Sequence, residues 1–259
     1  MDMKLRDRVA LVTGGSRGIG RAIALGLAAE GCHLVLAARG QAGLADAAQD
    51  VARRGVKVLT VAADMLDPGT PARLVAETTA GFGRLDIVVA NAGGMLGGRD
   101  LAGSTSEDWA QTFRLNVLHA TDLLREATPA LRTSDAASAV FVASISGRMP
   151  TTRGASYAAA KAALIHAARS LAWELAADGI RVNALSPGST LFEGGGWERT
   201  RRNAPDAFAA FEGAEFPRGR LGMVEEIADA AVFLASPRAV GINAVDVPVD
   251  GGQRRPSMG

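Results

Sequence analysis

Tyr157 and Lys161 stand four residues apart in the run Ser156-Tyr157-Ala158-Ala159-Ala160-Lys161, and this tyrosine is the only one in the chain. On a helix, residues at that spacing are neighbours, with Cβ atoms roughly 5–6 Å apart. A phenol with a reference pKa of about 10 is a poor acid or base at neutral pH. An ammonium one turn away favours its ionised form and lowers that pKa. The two side chains therefore have the makings of a proton-transfer couple working near neutrality. A helix bearing a tyrosine and a snorkelling lysine would be spelled the same way, so the elements that position the pair must decide between the two readings.

Those elements alternate along the whole chain. Val9 to Thr13 reads as a buried strand, and Arg17 to Glu30 as a helix closed by Gly31. Strands follow at His33–Ala38, Val56–Ala63 and Leu85–Ala90, with helices at Gln41–Arg54 and Pro68–Phe82 between them. Ser104-Thr105-Ser106-Glu107 has the capping-box spelling, serine at the N-cap and glutamate at N3, and opens a long helix running through Asn116 to about Leu131. Further strands are expected at Ala139–Ala143, Ile180–Leu185 and Ala244–Val249. The Tyr157 helix reaches Asp178-Gly179, and another spans Val224–Ser236. Apolar strands separated by helices imply a parallel sheet covered on both faces. The expectation is one doubly wound α/β Rossmann domain over residues 1–259, with seven parallel strands.

Such a fold binds ligands at the carboxyl ends of its strands. The first strand runs into Thr13-Gly14-Gly15-Ser16-Arg17-Gly18-Ile19-Gly20 and then a helix. Glycines permit a tight turn and close backbone approach, while the helix N-terminus offers unpaired N–H groups to a pyrophosphate. Gly14, Ser16, Arg17, Gly18, Ile19 and Gly20 are thus candidate dinucleotide contacts. An NAD site usually carries an acid near the end of the second strand, but here the run is Ala37-Ala38-Arg39. Arg39 and Arg17 together suit a 2′-phosphate, so the cofactor expected is NADP(H) in preference to NAD(H).

The glycine loop and the Tyr157–Lys161 pair together resemble the short-chain dehydrogenase/reductase family, in particular its 3-oxoacyl-carrier-protein-reductase-like members, and the similarity covers essentially the whole chain. Thr13, Gly14, Gly18 and Gly20 match its T-G-x-x-x-G-x-G motif. Asp64 resembles the family's adenine-contacting aspartate, with Met65 against the ring. Asn91-Ala92-Gly93 resembles N-A-G, with Ala90 before it where many members have asparagine. Asn116 falls at the family's helical asparagine, and Ser144, thirteen residues before Tyr157, at its catalytic serine; Ser146 is a nearby decoy. Pro187-Gly188 and Val249-Asp250-Gly251-Gly252 match two further motifs. The resemblance implies Tyr157 as general acid or base, Ser144 as the hydrogen-bond partner of the substrate oxygen, Lys161 as tuner of the phenol and holder of the nicotinamide ribose, and Asn116 as anchor of a water leading to solvent. It also implies a homotetramer, or a dimer, built on the alanine-rich helix around Tyr157; packing within one chain would explain those alanines too.

The chain departs from the family after Pro187-Gly188, where Phe192 takes the place of a usual threonine; Thr190 or the local backbone is the candidate substitute. Glu193 to Arg220 carries three glycines followed by Trp197, Phe208, Phe211 and Phe216. This segment, about 190–220, reads either as a substrate lid or as an insertion whose aromatics serve the core. Arg199, Arg201 and Arg202 read as a solvated helix face.

The composition is that of a globular protein, with 48% hydrophobic and 21% charged residues, and a net charge of +1 argues against nucleic acid or an anionic membrane as partner. His33, His119 and His166 lack metal-ligand spacing and Cys32 is single, so no metal is expected. The charged N-terminal stretch Met1–Arg8 lacks an apolar signal region and no apolar run suits a membrane span, which suggests a cytoplasmic protein. The function expected is an NADP(H)-dependent oxidoreductase interconverting a small-molecule ketone, 3-oxoacyl groups included, and a secondary alcohol. A sugar or polyol dehydrogenase and a non-catalytic NADP(H)-binding regulator are the competing readings.

Overall fold

The computed structural model describes residues 2–253; Met1 and residues 254–259, which the single-domain reading included, lie outside the described residues. The elements, in chain order, are β1 (Val9–Thr13), α1 (Gly18–Ala29), β2 (His33–Ala38), α2 (Gln41–Ala52), β3 (Val58–Ala62), α3 (Thr70–Phe82) and β4 (Ile87–Ala90). There follow α4 (Ser106–Phe113), α5 (His119–Leu131), β5 (Ser138–Val142), α6 (Ala155–Glu174) and β6 (Arg181–Pro187). The chain then forms β7 (Thr190–Leu191), α7 (Gly196–Asn203), α8 (Pro205–Glu215), β8 (Gly222–Met223), α9 (Val224–Ala235) and β9 (Asp246–Val249).

Seven strands form one sheet in the order β3-β2-β1-β4-β5-β6-β9, every neighbouring pair parallel. Strand parity explains why these strands are apolar throughout: successive side chains point to opposite faces. Leu11, Val35 and Val88 face a layer built on α3, α5 and α6. Ala10, Val12, Leu34 and Val89 face the other layer, on α1, α2 and α9. The winding reverses between β1 and β4, which lie side by side, and that reversal places a crevice above their carboxyl ends.

Two local expectations shift. The box at the start of α4 is one residue later than its spelling suggested. Thr105 is the N-cap: its hydroxyl accepts from the Asp108 N–H at 3.1 Å, while the Asp108 carboxylate accepts from the Thr105 N–H at 2.9 Å. Ser104 is instead engaged with Leu101 O and Trp109 Nε1. The long helix also does not run unbroken. Arg114–Leu118 is a π turn between α4 and α5, and it carries Asn116, which is fully buried. Such widened turns are rare and are found frequently at functional sites.

The 190–220 segment is tied at its base by β7 pairing with β8. Its aromatics pack on one another: Trp197 stacks on Phe211 at 4.2 Å between centroids, and Phe208, Phe216 and Leu221 are buried beneath them. Most of the apolar surface of α7 and α8 is thus spent on a small core of their own. No described helix is long and apolar enough to cross a membrane.

Candidate active site

The crevice is a cavity of about 1610 Å³. Its floor begins with the glycine turn after β1, where the close approach is physical: a Cβ on Gly20 would fall 2.3 Å from Gly14 O and 2.5 Å from Asn91 Nδ2. Asn91 Nδ2 donates to Thr13 O at 2.9 Å, stitching β4 to the turn. The N-terminus of α1 has no side-chain cap and no acid in its first turn. Its backbone N–H groups are therefore available to an anion, and a pyrophosphate fits there. Ser16, Arg17, Gly18 and Ile19 line this end of the cavity, as do Arg39, Asp64 and Met65. Arg39 is exposed and makes no ion pair among the described residues. Arg17 Nη1 points to Gly194 O at 3.4 Å.

Beyond Asn91, Ala92 and Gly93 lie Ser144, Tyr157 and Lys161, with Pro187 and Gly188 on the opposite wall. Tyr157 is on the first turn of α6, and Lys161 one turn further on is 3% exposed. Ser144 follows β5 by two residues and caps a short 3-10 turn, Ile145–Gly147, its hydroxyl accepting from the Ser146 N–H at 3.1 Å. That turn reaches α6 because Gly147 has no side chain: a Cβ there would sit 2.6 Å from the Lys161 carbonyl carbon. The expected decoy, Ser146, lines the cavity as well, but Ser144 is the residue that interacts with the phenol.

Lys161 Nζ donates to Val142 O at 2.8 Å and stands 5.6 Å from the centre of the Tyr157 ring. Burial lowers the ammonium pKa to about 7. The Tyr157 phenol is pushed up by burial, against a smaller downward pull from Ser144. The lowering of the phenol expected from Lys161 is therefore not its governing influence here, because a lysine titrating near 7 is only partly charged at neutrality and its ammonium is turned to a backbone carbonyl. Asn116 approaches from the far side of Gly93, whose added Cβ would fall 2.6 Å from Asn116 Oδ1 and 3.1 Å from Lys161 Nζ. The Asn116 amide is bound to backbone, donating to Gly94 O at 2.6 Å and Thr112 O at 2.7 Å.

His119, outside the sequence-derived set, closes this region from below. Its Nδ1 meets Leu115 O, a carbonyl that only accepts, so the proton is assigned to Nδ1 and Nε2 faces the Thr13 hydroxyl at 3.4 Å. Burial drops its pKa to about 4, so the ring is neutral at physiological pH. Thr13 Oγ1 in turn accepts from the Asn91 and Ala92 N–H groups. These partners lie scores of residues apart, and no local sequence signal announces them.

The expectation for Thr190 is only half met. It lines the cavity, but its hydroxyl donates to Gly188 O at 2.9 Å. Phe192 rests on the glycine turn, a Cβ on Gly18 falling 2.8 Å from its ring. Gln253, also missed, braces the neighbouring loop by accepting the Ser189 N–H at 2.7 Å and donating to Ser189 Oγ at 3.0 Å. Among the described residues no three His, Cys, Asp or Glu side chains gather to hold a metal ion.

The family profile for enoyl-(acyl carrier protein) reductase matches residues 14–254. An uncharacterized oxidoreductase of Mycobacterium tuberculosis is 38% identical over 260 residues, covering all of this chain and 97% of that protein. The 3-oxoacyl-(acyl-carrier-protein) reductase FabG of Escherichia coli is 36% identical over 96% of this chain and 98% of its own length. Among solved structures, L-sorbose reductase from Gluconobacter frateurii, complexed with NADPH and L-sorbose, superposes with a TM-score of 0.93 at 34% identity, covering 99% of this chain and 100% of that one.

Proposed function

Because the chain belongs to the short-chain dehydrogenase/reductase family of oxidoreductases, we propose that it reduces a small-molecule ketone to a secondary alcohol, or runs the reverse oxidation, with NADP(H). The observation that carries the reading is the convergence of Ser144, Tyr157 and Lys161 on the same cavity as the glycine turn. The bound nicotinamide supplies the hydride. The α1 N-terminus and glycine turn hold its pyrophosphate, Arg39 and Arg17 its 2′-phosphate, and Asp64 and Met65 the adenine side. Asn91, Ala92, Gly93, Pro187 and Gly188 line the nicotinamide end.

Tyr157 gives its hydroxyl proton to the carbonyl oxygen as charge develops there, and Ser144 donates a hydrogen bond to the same oxygen. Lys161 binds the ribose and replenishes the proton, and a lysine titrating near 7 is suited to that exchange. Asn116 fixes the Gly93–Gly94 turn against Lys161 and orders the exit for the proton. Assembly of two or four copies through α6 belongs to the same proposal, Trp173 on that helix being 86% exposed.

A sugar or polyol is the second reading for the substrate, favoured by the similarity to the sorbose-bound reductase. The test of the mechanism is Tyr157→Phe. Binding of NADPH, followed by its fluorescence, should persist while turnover falls by about 10³-fold or more. A variant retaining near-wild-type kcat would refute the role given to Tyr157, whereas NADPH binding without turnover of any carbonyl or alcohol by the wild type would favour the non-catalytic alternative.

A further inference from the structure

Past Ser144 and Tyr157 the cavity opens between two loops, one before α4 and one before α6, and each presents an arginine to it: Arg99 and Arg153. The Gly154 N–H donates to Arg99 O at 2.7 Å. Arg153 supplies the other half of that same peptide group, so the two arginines flank a single hydrogen bond. Both are exposed, and neither guanidinium has a hydrogen-bond or ion-pair partner among the described residues. The nearby carboxylates are already engaged with backbone: Asp100 accepts from the Gly103 N–H, and Asp108 from the Thr105 and Gly98 N–H groups. Elsewhere in the chain Arg8, Arg21, Arg84, Arg125, Arg148 and Arg218 all meet carboxylates.

Two like charges on clasped loops repel each other, and an oxyanion between them removes that repulsion while filling two planar donor forks. The arginines at 199–202 do not compete for this role. Arg199 donates to Gly194 O, Arg202 pairs with Glu198, and Arg201 does not line the cavity.

We propose that the substrate carries an oxyanion, a carboxylate or a phosphate, seated between Arg99 and Arg153 while its carbonyl lies at Ser144 and Tyr157. The inference rests on the carbonyl-reductase reading above. Arg153 lies just outside α6, one residue before its left-handed N-cap Gly154, and Tyr157 is on the first turn of that helix, so the anionic group and the reacting carbonyl belong to one short molecule.

The test compares matched probes with NADPH: 4-oxopentanoate against its methyl ester, and fructose 6-phosphate against fructose, in the wild type and in the double variant Arg99→Gln/Arg153→Gln. In at least one pair the anionic member should be preferred in kcat/KM by about tenfold or more. The pair showing it identifies carboxylate or phosphate as the source. The preference should fall to near parity in the double variant and weaken with added salt. Equal use of charged and neutral members, or a preference that survives the double substitution, overturns the proposal and leaves the reductase reading intact. If NADPH binds but no carbonyl is turned over, the reductase reading fails. The anion site is then judged directly by calorimetric titration of succinate and inorganic phosphate into the NADPH complex. Binding that the double variant loses supports it, and absent or unchanged binding rejects it.

Discussion

Replacing Lys161 with methionine should make the protein more stable at pH 6 while abolishing turnover. Lys161 is 3% exposed, its Nζ has one protein acceptor, Val142 O at 2.8 Å, and no carboxylate pairs with it among the described residues. Burial lowers its pKa from 10.5 to about 7. Below pH 7 the folded and unfolded chains both carry the proton, and the cost of burying the ammonium is felt in full. Between about 7 and 10.5 the unfolded chain binds more protons than the folded one, so wild-type stability rises with pH through that window. The height of this step is about 4–5 kcal/mol.

Methionine fills a similar volume without charge, but it strands the Val142 carbonyl, an opposing loss of about 1.5–3 kcal/mol. The net expectation is a variant more stable by about 2 kcal/mol at pH 6 and less stable than wild type near pH 10. Urea unfolding followed by far-ultraviolet circular dichroism, at pH steps from 6 to 10 on both proteins, gives the difference directly. His119, held at about 4 by burial and secondarily by the Lys161 charge, contributes its own pH dependence only between about 4 and its ordinary 6.5, so the steps from pH 7 to 10 report Lys161 alone. A stability difference that stays flat with pH, or a variant weaker than wild type at pH 6, would refute the argument that Lys161 is held at a desolvation cost for the sake of the site.

Two further outcomes follow from the same geometry. Arg39→Asp should lower kcat/KM for NADPH by about a hundredfold and leave NADH nearly unchanged; steady-state kinetics with both cofactors checks it, and comparable wild-type constants for the two would sink the 2′-phosphate assignment. Gly147→Ala places a Cβ 2.6 Å from the Lys161 carbonyl carbon, so the Ser144 turn must move off α6. A displacement of this kind should cost about tenfold to a hundredfold in kcat with little change in NADPH affinity; an unaltered kcat would show that Ser144 does not depend on that contact.

What was legible in the sequence, and what was not, divides by the range of the interactions. The strands could be read because a parallel sheet buried on both faces demands unbroken apolar runs such as Val9–Thr13, and all seven lie where such runs predicted them, within a few residues at their ends. The glycine turn, Tyr157 and Lys161 could be singled out because the backbone geometry of a strand end or a helical turn dictates their spacing, whereas Ser144 was singled out only by its place in the family's motif. The capping box slipped by one position because Ser104 with Glu107 and Thr105 with Asp108 have equal spacing, and only three-dimensional competition for Ser104 decides between them. The π turn at Asn116 depends on a carbonyl caught by His119 and on an amide held by Gly94, contacts that no local pattern encodes.

The direction of the phenol shift was misjudged for a related reason. Spacing on a helix says that an ammonium is near, but not that burial has weakened its charge and aimed it at Val142. Helical proximity therefore identified Tyr157 and Lys161 as neighbours and misassigned the force between them. In the structure as it stands, desolvation acts on both side chains at once, raising the phenol above its ordinary value and lowering the ammonium to about 7, so that their proton affinities move apart. The phenol therefore keeps its proton at neutrality, and a charged Lys161 is the stronger acid of the two, so proton flow from lysine to a spent tyrosine runs downhill; a protonated phenol with a proton source beside it, more than a preformed phenolate, is what α6 offers to a carbonyl reduction.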